Sequence, residues 1–138
     1  MSAEHDLISK IRSEFIDSGR DVRYPCDAYI FVLQGLEFYF AKINEKRHVT
    51  GGELSGGLVE FARRQFGPLA FEVLRTWGIS GTNDFGFIVY NLIDIGAMSK
   101  TPSDAVEDFF NVFDLKDYFE GIDYYTIDKK FIRSIQGA

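Results

Sequence analysis

The chain has 138 residues with 46% hydrophobic and 16% aromatic content, enough for one domain with a real core and too apolar for a disordered segment. Its net charge of −6 disfavours a polyanionic partner, its single Cys26 leaves no intramolecular disulfide, and two histidines with one cysteine cannot assemble the usual zinc ligand sets. The N-terminus MSAEHDLISKIRSEF carries charges where a signal peptide would be continuously apolar, and the stretch from Pro25 to Asn44 is interrupted by Asp27, Gln34, Glu37 and Lys42, so a cytoplasmic protein that does not enter the membrane is expected.

Leu7, Ile8, Ile11 and Phe15 recur at helical spacing and predict an amphipathic first helix ending at Gly19. Pro25 opens the next segment at the first helical position, where its missing N–H is harmless. The run to Asn44 keeps its polar residues on one narrow stripe, as a central helix would. Gly35 in its middle predicts a neighbouring helix crossing closely there. Thr50-Gly51-Gly52-Glu53 has the spacing of a capping box and starts a third helix, with Leu54, Leu58, Phe61 and Ala62 on its buried face.

Gly67-Pro68 ends that helix and starts a fourth, which Gly78 closes with Ile79 folding back over the cap. Thr82 is read as the next N-cap, with Phe85, Ile88, Val89, Leu92 and Ile93 as the buried stripe and Gly96 as the stop. From Thr101 onward, AVEDFFNVFDLKDYF reads as a helix through Val106, Phe109, Phe110 and Phe113, with a strand pair closing a wing as the alternative. Residues 121–138 form a tail with Ile127, Phe131 and Ile135 spaced for a short amphipathic helix. The expected fold is all-α: one domain over residues 1–120, of five to six helices, containing a helix-turn-helix or winged-helix-like unit between His48 and Lys100.

That unit has a layout suited to DNA and a charge that is not. Its would-be recognition helix offers Asn83, Asp84, Tyr90, Asn91 and Asp94, whose carboxylates a phosphate backbone would repel. Nucleic acid would have to be held by Arg63, Arg64, Lys129, Lys130 and Arg133, and is disfavoured. The chain has no HExxH, no CxxC and no GxSxG elbow, and its glycine pairs lack the Lys-Ser/Thr of a phosphate loop, so neither a metal nor a cofactor is expected.

Two sets of residues remain as candidates. A ligand or catalytic pocket would draw on His48, Glu53, Arg63, Arg64 and Trp77. An interaction surface would draw on Gly52 and Gly56, four apart on one helix face, and on the acidic aromatic region with Asp108, Asp117, Tyr118, Tyr124 and Tyr125. Acid concentrates just there: Asp104, Glu107, Asp108, Asp114, Asp117 and Glu120 face Lys116 alone between residues 101 and 120. Such a block is usually a solvated face and otherwise docks something basic.

The motifs HVTGGEL, ARRQFGPLA, RTWGI, DFGFIVYNLIDIG and MSKTPSDAVEDF resemble the pattern of a family of short, uncharacterised bacterial proteins, over roughly residues 24 to 116. The resemblance implies no activity, cofactor or site. The expected role is a non-catalytic module that binds a protein partner or a second copy of itself. A small ligand-binding protein or enzyme with its pocket near His48 is the alternative.

Overall fold

Helices carry the described residues, 3–122, of the computed structural model, and no strand occurs among them. The expected tail helix, with Tyr124 and Tyr125 ahead of it, lies outside the described residues. The first helix, α1 (Ala3–Ile11), widens into a π-helical turn over Arg12–Asp17 and buries Ile11 and Phe15 completely. Gly19 then reverses the chain at φ +75°, a conformation without steric penalty only for glycine.

The central helix, α2 (Cys26–Ile43), begins one residue later than expected, because Pro25 adopts an extended cap conformation and its carbonyl accepts the Ala28 N–H at 3.0 Å. The third, α3 (Gly51–Phe66), starts at the capping box: the Thr50 hydroxyl accepts the Glu53 N–H and the Glu53 carboxylate accepts the Thr50 N–H, both at 3.1 Å. These two helices interlock through reciprocal knobs. A Cβ on Gly35 would collide with Leu58 Cδ2, and one on Gly57 would lie 2.8 Å from the Tyr39 ring. Each helix thus presents a glycine where the other presents a large side chain, which brings the two backbones close.

Gly67, at φ +56°, turns the chain through a 3-10 helix (Gly67–Leu69) into α4 (Ala70–Thr76). The end of α4 is a Schellman motif: Gly78 N–H bonds to the Arg75 carbonyl, Ile79 N–H bonds to the Leu74 carbonyl, and Ile79 is fully buried. The same motif ends α5 (Thr82–Asp94), where Gly96 and Ala97 donate to Ile93 and Leu92. Tyr24, Tyr29, Phe85, Ile88 and Leu92 fill the core between α2 and α5, and Leu54, Leu58 and Leu74 extend it to α3 and α4.

Two expectations need correction. Gly81, not Thr82, is the N-cap of α5; the Asp84 carboxylate takes the N–H groups of Ser80 and Gly81 and the hydroxyl of Tyr24. Thr82 is freed for another task. Its buried hydroxyl donates to the Phe109 carbonyl at 2.7 Å and accepts the Val112 N–H at 3.2 Å, while Asn83 accepts the Asn111 N–H.

Those bonds explain why residues 101–113 make neither a continuous helix nor a wing. Backbone groups that a helix would pair internally are held instead by side chains of α5, and the carboxylates expected in a first helical turn cap separate turns. Asp104 accepts the Thr101 N–H, and Asp108 accepts that of Ala105. The result is a 3-10 helix (Val106–Phe109) and, after Asn111 at φ +49°, a short α6 (Leu115–Glu120) whose N-cap Asp114 accepts the Asp117 N–H. Helix α4 packs on α3 and α6, whereas α5 packs on α2, on α3 and on the Val106–Phe109 turn.

Candidate ligand cleft

Leu33, Leu36 and Phe40 follow each other on one face of α2, and Val89 and Ile93 stand one turn apart on α5. With Leu54 of α3 they form the apolar floor of a cleft of about 640 Å³. Leu7, Val49, Ala97, Met98 and Phe109 add to its apolar lining. The rim is polar and comes from two loops. The one between α2 and α3 supplies Lys46, Arg47 and His48; the one after α5 supplies Lys100, Thr101 and Asp104.

The loops meet at His48 and Asp104, whose Nε2 and Oδ1 are 3.1 Å apart. Asp104 is the anchored partner. Its other oxygen accepts the Thr101 N–H at 2.8 Å, and that bond is the main cause of a carboxyl held below its usual range, with His48 adding to it. His48 is anchored through its neighbour. Arg47 donates to the His48 carbonyl at 2.8 Å and forks to Glu45 and Glu53, at 2.8 and 2.7 Å.

Glu53 is the hub of that arrangement. It accepts from Arg47, from the Thr50 N–H and from the Tyr39 hydroxyl at 3.0 Å, and the Arg47 guanidinium, ahead of the Thr50 N–H, lowers its carboxyl to about 2. The capping box that starts α3 therefore also sets the loop carrying His48. On the opposite wall, burial raises the Tyr90 hydroxyl above its usual range, and the negative field of Asp104, Asp108 and Glu107 raises it further.

The sequence-predicted residues are dispersed. His48 lines the cleft, and Glu53 stands behind it as the loop's support. Arg64 pairs with Glu60 at 3.3 Å and lies over the Phe38 ring, and Arg63 is half-buried on α3. Trp77 belongs elsewhere: it packs on Phe31 and Phe66 beside a shallow notch of about 190 Å³.

Of the interaction-surface set, Gly52 approaches Val112, and Gly56 is exposed, with no other described residue within 4 Å of the place a Cβ would take. Asp108 lines the cleft, Asp117 lies in the first turn of α6, and Tyr118 packs on Phe113 and Phe119. Sequence reasoning missed Lys46, Lys100 and the role of Asp104. Only Asp104 left a signal, as the fourth residue of Thr101-Pro102-Ser103-Asp104, and that spacing indicates a capped turn without naming His48 as a partner.

Among the described residues no helix is long and apolar enough to cross a membrane, and no group of three His, Cys, Asp or Glu side chains is gathered as a metal site. No protein-family model, curated protein or solved structure matches the chain, which leaves the chemistry of the cleft to indicate a role.

Proposed function

We propose that this protein is a small-molecule binding module whose cleft, beneath the His48–Asp104 contact, receives a ligand with a substantial apolar part. The observation that carries the reading is the combination of a six-residue aliphatic and aromatic floor with a hydrogen-bonding rim in one concavity of about 640 Å³. Small-molecule sites are of this kind: roughly 300–1,000 Å³, mainly apolar, with a few polar groups that orient the ligand. Met98 suits the purpose, since its unbranched side chain adapts to differently shaped apolar partners. A free Cys26 favours a reducing compartment, and the module is proposed to work in the cytoplasm.

Docking through the acidic region has less in its favour, because Asp104, Asp108 and Asp114 are each engaged by a backbone N–H of their own chain. The test is uptake of a neutral fluorescent probe, N-phenyl-1-naphthylamine, followed by titration. Saturable one-to-one uptake is expected, and Ala97→Trp, which fills the cleft from its half-buried wall, should abolish it while the circular dichroism spectrum is retained. Uptake that does not saturate, or that is equal in Ala97→Trp, overturns the reading.

A further inference from the structure

We infer that the cleft selects an amphipathic anion: an apolar chain lying on the Leu33–Ile93 floor and ending in one carboxylate, which Lys46 and Lys100 receive at the mouth. The inference rests on the reading of the cleft as a ligand site and adds the chemical class of the ligand.

Lys46 precedes His48 by two residues, and Lys100 precedes Asp104 by four. Because His48 and Asp104 are 3.1 Å apart, the two lysines stand on loops that are tied to each other, and both line the cleft. Neither ammonium group has an ion-pair or hydrogen-bond partner among the described residues. The other charges in the lining are differently placed. Arg47 is occupied by Glu45 and Glu53, Asp104 by Thr101 and His48, and Asp108 by the Ala105 N–H. Glu37, exposed on α2, is the acid of the lining without a partner among the described residues.

Lys46 and Lys100 are therefore the cations of the lining that no described carboxylate pairs, beside carboxylates of Asp104 and Asp108 that are turned into the N–H groups of their own loops. An anionic headgroup at the mouth would give both ammonium groups the charged partner they lack. Lysine is suited to the task, since its stem lies along apolar surface while its compact ammonium reaches a headgroup in water. A ligand with a neutral head would leave both ammonium groups as they are and gain nothing from them; a cationic head would be repelled.

Displacement of N-phenyl-1-naphthylamine by octanoate, octanol and octylamine at fixed ionic strength separates these cases. Octanoate should displace the probe at a concentration about tenfold or more below that of octanol, with octylamine weakest. In the double variant Lys46→Gln/Lys100→Gln the advantage of octanoate over octanol should shrink to about threefold or less, each competitor being read against the probe affinity of that same variant. Both lysines are exposed, so the fold does not depend on them. Octanol or octylamine matching octanoate, or a preference that survives the double variant, overturns the inference and leaves the cleft reading standing. Absence of probe uptake overturns both.

Discussion

Gly86 of α5 and Phe109 of the following 3-10 turn meet so closely that a Cβ on the glycine would stand 2.7 Å from the Phe109 Cβ. That atom is fixed to the backbone and cannot swing away, so Gly86→Ala must displace the turn that ends in the cleft wall. Overpacking of this kind costs about 1–3 kcal/mol, against which alanine returns up to about 1 kcal/mol of helix propensity. A net loss of up to about 2 kcal/mol is expected in urea unfolding. Gly56→Ala is the contrast: it sits inside α3, exposed, with no described residue near the Cβ position, and should stabilise by about 0.5–1 kcal/mol.

Thr82→Val keeps the shape of the side chain and removes its hydroxyl. The Phe109 carbonyl and Val112 N–H then lose their partner, and stability should fall by about 1–3 kcal/mol. Hydrogen exchange localises the effect: protection of the Val112 amide should drop well before that of amides in the middle of α2. Unchanged protection at Val112 would show that the hydroxyl does not hold this segment.

Acid should unfold the protein partly through Asp21. The Arg23 side chain is the largest influence on this carboxyl, which burial opposes and Asn91 assists, and its value falls from 3.8 to about 2. A carboxyl depressed on folding contributes stability that is complete above its unfolded value, here about 4, and is lost as pH falls toward 2. The side chain is only 10% exposed, so its share is of order 2 kcal/mol. Asp21→Asn should therefore be less stable than the parent at pH 7 and equal to it near pH 2. Glu53, lowered in the same direction chiefly by Arg47, keeps some acid sensitivity in that variant.

Ser55 is fully buried on α3, and its hydroxyl has no hydrogen-bond partner among the described residues. An unsatisfied buried hydroxyl is unfavourable, so Ser55→Ala should be neutral or stabilising by about 1 kcal/mol, read from the thermal or urea midpoint. A loss of more than that would mean that the hydroxyl is satisfied in solution.

What could be read in the sequence was local. Thr50 and Glu53 are three residues apart and cap each other whatever the rest of the chain does; Gly67, Gly78 and Gly96 adopt positive φ where the helical pattern stops. Gly35 announces a close crossing because glycine in mid-helix is otherwise unfavourable, and Leu58 fills the place. The segment from Thr101 to Phe113 is not legible in this way, because its conformation is decided some thirty residues away, by the Thr82 hydroxyl and the Asn83 amide. The cleft is hidden for the same reason. His48 stands out as an unusual residue ahead of a helix, but Asp104 belongs to another loop and its nearness depends on how α3 and α5 pack on α2.

The capped turns of the acidic region separate charge from fold. An asparagine side-chain oxygen can accept the same backbone N–H that each of these aspartates accepts. Changing Asp104, Asp108 and Asp114 together to asparagine would keep the acceptors of three turns and halve a net charge of −6. An electrostatically quieter copy of the protein thus exists at nearly constant shape. Any basic macromolecule that bound the parent and held on to this copy would be recognising contour, and one that let go would have been drawn by the carboxylates alone.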